Sequence, residues 1–181
     1  MEKKANVKPI FYKVLSVLSN VFLILVVGIW LFKRAPKIYE AYWLENRIAP
    51  IFNLIDLDGK ALSIPEESKK TILVFWATWC GPCQLELARL NKLIEGKAID
   101  AKSVVAISMN EDLRLLQKTA KDRNYLFRLA DDNLGEASSY FRVVGTPTVV
   151  FLDHNRKIKW VTSGISPTLE ARARGFVGAT N

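Results

Sequence analysis

Side chains that bind transition metals are scarce in this 181-residue chain, which has two cysteines, one histidine and two methionines. A structural zinc site takes four ligands, and no second Cys or His pair exists to complete one around the cysteines. The lone histidine, His154, stands in the polar stretch DHNR and reads as an exposed turn residue. Internal repeats and low-complexity tracts are also missing, so one packed core is expected. Charge of one sign is scarce once the N-terminus is set aside. Residues 1–37 hold seven Lys/Arg against the single acid Glu2, leaving 19 basic and 17 acidic residues beyond them. So balanced a body offers no basic face for phosphates, and no nucleic-acid partner is expected despite the net charge of +8.

The excess charge flanks an apolar run. Val14 to Phe32, VLSVLSNVFLILVVGIWLF, is nineteen residues without a charge, bounded by Lys13 and by Lys33-Arg34. As a helix it would be about 28 Å long, close to the hydrocarbon thickness of a bilayer. The alternative is a cleaved signal peptide, but KRAPKIYEAYW follows, charged and bulky, with no small-x-small cleavage site. The expected organisation is a basic segment at 1–13, a transmembrane helix at 14–32, a linker at 33–48 and a folded domain at 49–181. Lys3, Lys4, Lys8 and Lys13 precede the helix and Lys33, Arg34 and Lys37 follow it, a slight bias toward an internal N-terminus. Trp30, Tyr39, Tyr42 and Trp43 are placed to sit at the membrane interface or to pack on the domain.

Half the residues are hydrophobic, enough for one well-filled core. Ile51 to Ile64, IFNLIDLDGKALSI, alternates around Asp58-Gly59 and predicts a hairpin. TILVFWA, Thr71 to Ala77, is continuously apolar and predicts a central strand covered on both faces. Pro82 fits the first turn of a helix in which Leu87, Leu90 and Ile94 repeat until Gly96. Further strands are expected at Ser103 to Met109, at about Tyr125 to Leu129, and in TPTVVFLD and KIKWVTSG about a turn at Asp153 to Arg156. Helices are expected from a cap at Asn110 or Asp112 to about Asn124, at Leu134 to Phe141 and at Leu169 to Phe176. Alternating strands and helices closed by a hairpin predict an α/β sandwich on a mixed sheet.

Cys80 and Cys83 lie at the strand-to-helix junction, in VFWATWCGPCQLE, and three uses compete for them. A disulfide closing so short a loop removes little chain entropy and is a poor structural staple. A zinc site lacks ligands. A reacting pair needs an exposed thiolate with a second thiol in reach, and a cysteine at a helix start has free N–H groups and the positive dipole end to stabilise S⁻. Cys80 is therefore expected to attack and Cys83, one turn later and partly covered, to resolve. Gly81 and Pro82 between them keep the turn compact and help set the reduction potential. No other cysteine is present, which suits an oxidising compartment. Thiolates also suit Cu(I), which leaves a metallochaperone as a rival, though only Met1 and Met109 could add soft ligands.

FWATWCGPCQLE, the upstream APIFNLIDLDGK and the downstream VGTPTVVFLD, in that order, resemble the thioredoxin superfamily and more narrowly its membrane-anchored TlpA/ResA-like branch. The resemblance covers about Ala49 to Phe176. It implies a thioredoxin-like three-layer sandwich with a mixed central sheet, an N-terminal β-hairpin and a single N-terminal transmembrane helix. It also implies a redox-active Cys80–Cys83 disulfide, with no cofactor and no metal. In that superfamily the residue matching Pro147 follows a cis bond, so Thr146-Pro147 is expected to be cis and to pair with substrate beside Trp79, Gly81 and Pro82. The 63 residues between Cys83 and Pro147 leave room for the branch's extra strand and helix. Thioredoxins place a buried Asp six residues before the first cysteine, where this chain has Val74. In the branch an acidic residue follows the second cysteine by three, and Glu86 matches it as an acceptor for the Cys83 proton. Ala88 departs from a proline usual in the branch. The implied activity is reduction of disulfides in partner proteins, with a membrane electron donor and the domain facing a bacterial periplasm from the inner membrane. Cytochrome c maturation is the implied context, and thiol oxidation or isomerisation the alternative. A peroxidase of the related peroxiredoxin type is disfavoured, because its cysteine does not lie in WCGPC.

Overall fold

The computed structural model describes residues 8–66, 68–109 and 111–178, and within the first helix the side chains of residues 12–30, 32 and 44. The expectations for Lys3 and Lys4, for Asn110 as a cap and for the side chains of Tyr39, Tyr42 and Trp43 lie outside the described residues. The chain divides into two units, Met1–Tyr39 and Glu40–Asn181. Helix α1 (Lys8–Leu44) makes up the described part of the first, where its 19-residue stretch Tyr12–Trp30 is apolar and long enough to cross a membrane, with none of it buried, and its last five residues belong to the second. The helix continues to Leu44, so most of the stretch expected as a linker is helical.

The second unit opens with a hairpin of β1 (Phe52–Asp56) and β2 (Ala61–Ile64), in register from Phe52↔Ile64 to Ile55↔Ala61. Asp56 shapes its turn, its carboxylate accepting the N–H groups of Asp58 and Lys60 at 2.9 and 2.8 Å, and Gly59 supplies the positive φ of 79°. Then follow β3 (Thr71–Trp76), α2 (Gly81–Glu95), β4 (Val104–Ser108), α3 (Leu113–Asp122) and β5 (Arg128–Asp131). The chain closes with α4 (Glu136–Tyr140), β6 (Thr148–Leu152), β7 (Ile158–Ser163) and α5 (Leu169–Val177). Asp112 is the cap of α3, accepting the N–H groups of Arg114 and Leu115.

The seven strands among the described residues form one sheet in the order β2-β1-β5-β4-β3-β6-β7. β3, β4 and β5 run parallel, β1 and β6 pair antiparallel to β5 and β3, and the outer strands β2 and β7 turn back to the central direction, which makes the sheet mixed. All six residues of β3 are buried because the strand is covered on both faces. Ile72, Val74 and Trp76 point into a core with Leu87 and Leu90 of α2, Leu116 of α3 and Phe176 of α5. Leu73 and Phe75 point the other way, against Ala137 of α4, Phe141 and Leu44. Helices on both faces give the expected three layers.

β5 begins three residues later than the apolar pattern suggests. Tyr125 and Phe127 do not enter the ladder; they stack on each other at 4.9 Å, and Tyr125 meets Trp76 edge-on. Aromatic packing takes residues that β-propensity would assign to the strand.

Candidate active site

β3 ends at Trp76 in the middle of the sheet, and four residues later Cys80 caps α2. The Cys80 N–H donates to the Ala77 carbonyl at 3.1 Å, while its Sγ accepts the Cys83 N–H at 3.2 Å. The first cysteine thus occupies the position where a helix's unpaired donors meet a partner. Cys80 and Cys83 form a disulfide with Cα atoms 5.3 Å apart. Cys83 is fully buried and Cys80 only 5% exposed, so in the disulfide-bonded state the pair is more covered than the exposed thiol and partly covered partner that the sequence predicts, with Cys80 the less buried residue. Pro82 sits in the first turn, where its missing N–H is harmless. A Cβ at Gly81 would meet open space, so no clash within the fold requires a glycine there.

The Thr146-Pro147 bond is cis. Register locates it: Phe75 of β3 pairs with Thr148 of β6, and the strands run antiparallel. One step further, Thr146-Pro147 lies at the end of β3 from which the chain departs toward Cys80. Pro147 is held by its carbonyl, which accepts the Gly164 N–H at 2.7 Å. Trp79 is 79% exposed, beside Cys80 in sequence, and Val144 and Ile165 are exposed too. Trp76 is wholly buried and belongs to the core.

Sequence reasoning missed the groups that brace the loop before Cys80. The Glu111 carboxylate accepts the Thr78 N–H at 3.0 Å and its hydroxyl at 2.6 Å. Gln84 of α2 donates to the Thr78 carbonyl at 2.9 Å and accepts from Arg123 at 2.6 Å. Behind them, Asp131 accepts both the Ser108 hydroxyl and the Glu111 N–H. Thr78 is thus tied to β4, β5 and α2 at once.

Glu86 lies one turn beyond Cys83 and is fully buried. Its Oε1 accepts the Ser166 N–H at 2.6 Å and stands 3.5 Å from Nη1 of Arg89, while Oε2 has no hydrogen-bond partner among the described residues. A buried carboxylate half satisfied in this way is costly and retains one acceptor. α2 runs unbroken from Gly81 to Glu95 through Ala88. Among the described residues no three His, Cys, Asp or Glu side chains converge to hold a metal ion.

Comparison with known proteins extends the likeness beyond the motif. Residues 46–161 match the pattern described as the AhpC/TSA family. The chain is 31% identical over 153 residues to thioredoxin-like protein YneN of Bacillus subtilis (strain 168), covering 81% of this chain and 89% of the relative. It is 29% identical over 128 residues to thiol-disulfide oxidoreductase ResA of Bacillus cereus (strain ATCC 10987 / NRS 248), covering 67% and 74%. The crystal structure of StoA from Bacillus subtilis superposes with a TM-score of 0.59 at 23% identity, covering 71% of this chain and 98% of that one, a likeness of fold. With the match spanning most of the folded unit and a relative above 30% identity, this chain belongs to the AhpC/TSA family of thioredoxin-like proteins.

Proposed function

We propose that this chain is a thiol-disulfide oxidoreductase that reduces disulfides in partner proteins on the oxidising side of a bacterial inner membrane. The observation that carries the reading is the Cys80–Cys83 pair, bonded to each other at the N-terminus of α2 with Cys80 the less buried of the two. Relatives named thiol-disulfide oxidoreductase ResA support it. In the reduced enzyme the Cys80 thiolate attacks one sulfur of a substrate disulfide, forming a mixed disulfide and expelling the other sulfur as a thiolate. Cys83 then gives its proton to Glu86 and attacks Cys80 Sγ, which releases the second substrate sulfur and leaves the Cys80–Cys83 disulfide. Two electrons pass from the dithiol to the substrate, and a dithiol donor in the membrane returns them. Trp79 and the Gly81, Pro82, Thr146 and Pro147 backbone flank the substrate chain.

The helix Tyr12–Trp30, long and apolar enough to span a bilayer, supports a retained single-pass anchor, with segment 1–13 internal and the 49–181 domain outside. The narrower substrate reading is the haem-binding thiols of apocytochromes c. The test is insulin disulfide reduction by the full chain in detergent, with Cys80→Ser and Cys83→Ser variants. Activity lost in both variants, with a stable mixed disulfide accumulating only on Cys83→Ser, is the expected result. Wild-type protein inert toward insulin but turning over hydrogen peroxide would refute the reading. Partners trapped on Cys83→Ser in cells identify the substrate, and a set without apocytochromes or their carriers removes the narrower one.

A further inference from the structure

Arg89 is the one cation bonded into the seam between α2 and α5 among the described residues that touch Glu86. Its Nε donates to Glu170 Oε1 of α5 at 2.9 Å, Nη1 donates to the Ser166 carbonyl at 2.9 Å, and Nη2 reaches the Pro167 carbonyl at 3.5 Å. Ser166 is buried, and its own N–H is the donor that holds Glu86 Oε1. One guanidinium therefore fixes both faces of one residue's peptide environment: it binds the carbonyl of Ser166, whose N–H binds the carboxylate, and it stands 3.5 Å from that carboxylate itself. The planar fork serves these partners together, and a lysine ammonium has no such geometry.

We infer that Arg89 is a positioning residue for the exchange, locking the Ser166–Pro167 loop onto α2 so that Glu86 Oε1 is held and Oε2 is left as the acceptor for the Cys83 proton. The inference rests on the reading of Glu86 given above. A buried carboxylate held at one oxygen by the Ser166 N–H, with the Arg89 charge 3.5 Å from the same oxygen, is restrained from exchanging its oxygens, which leaves Oε2 as the unpartnered acceptor. Removal of Arg89 frees the loop and withdraws the counter-charge, so Glu86 loses its orientation while Cys80, at the helix start, keeps its own surroundings.

The two steps can be separated with the full chain, reduced and in detergent, against a chromogenic aromatic disulfide. Attack by Cys80 releases one aromatic thiolate, and resolution by Cys83 releases the second. In Arg89→Gln the first phase is expected to keep its rate while the second slows by up to roughly a hundredfold, the scale of a group misplaced by about 1 Å. Glu86→Gln should slow the second phase at least as much, and the Arg89→Gln/Glu86→Gln double variant should be no slower than Glu86→Gln alone. A normal second phase in Arg89→Gln with a slow one in Glu86→Gln overturns the role of Arg89 and spares that of Glu86. A normal second phase in Glu86→Gln overturns both. Independent slowing by the two substitutions in the double variant reduces Arg89 to a structural residue and overturns the inference. Should Arg89→Gln fail to fold, Glu170→Ala removes the acceptor for Arg89 Nε and cuts its outer tether, and an unslowed second phase there overturns the inference.

Discussion

The Glu111 carboxylate, on the loop after β4, holds both polar hydrogens of Thr78, the hydroxyl at 2.6 Å and the N–H at 3.0 Å. Thr78 stands two residues before Cys80, so this contact decides where the reactive turn begins. Substitution Glu111→Ala leaves two donors unmatched next to the sheet's end, a loss of about 1–3 kcal/mol. Urea denaturation should show the midpoint falling with an unchanged slope, and insulin reduction should slow at temperatures where the variant remains folded. Glu111→Gln, which keeps an acceptor, should lose less. An unaltered midpoint in Glu111→Ala would mean that the bracing is incidental.

Much of the catalytic geometry was legible because it is local. An apolar strand, a tight turn and a helix start fall within Thr71–Leu90, and periodicity, Pro82 and the cysteine spacing read them without long-range information. Glu111 escaped for the opposite reason: it looks like one more acid near a helix cap, and its partner is 33 residues away. Arg89 and Glu170, 81 residues apart, form a pair that no helical spacing reveals. Asp131 lies in β5 with its carboxylate buried, satisfied by Ser108 and Glu111, whereas the apolar pattern points to Tyr125 and Phe127 instead. Polar burial is paid by specific partners, and partners across the fold leave no local pattern.

Trp79 tests whether the rim binds substrate. An indole 79% exposed contributes little to the core, so Trp79→Ala should change unfolding free energy by no more than about 0.5 kcal/mol. Steady-state reduction of a protein disulfide should show a several-fold rise in KM with kcat retained, the signature of lost uniform binding. Equal kinetics in the variant would remove Trp79 from the substrate surface.

The N-cap position of Cys80 carries a separate consequence for its thiol. In the disulfide-bonded structure the Cys80 sulfur accepts the first-turn N–H of Cys83, and at such a helix start the dipole favours the ionised form of a thiol once the pair is reduced. Carboxymethylation followed against pH should give a midpoint for Cys80 below the ordinary thiol value of about 8.5. Cys83, fully buried, should remain unmodified until the chain is unfolded. The fast reaction should persist in Cys83→Ser and vanish in Cys80→Ser. A sluggish thiol at position 80, titrating like free cysteine, would remove the nucleophile on which the exchange depends.

The tether between Arg89 and Glu170 gives the fold an acid-sensitive joint. The Arg89 hydrogen bond holds the Glu170 carboxyl below its ordinary value of 4.5, with the charges of Arg89, Arg174 and Lys92 acting in the same direction. A carboxylate whose folded form ionises more readily than its unfolded form stabilises the fold fully above the unfolded value, and that contribution fades as pH falls through the lower, folded one. Wild type should therefore be more stable than Glu170→Gln at pH 7, and the two should converge as the solution is taken well below pH 4.5. Because Glu170 is exposed, the gap should also narrow in molar salt, which screens the ion pair without protonating it. Urea midpoints of both proteins at neutral and acid pH, each at low and high salt, separate these causes. A gap that persists undiminished in acid would show that the side chain acts by packing rather than by charge.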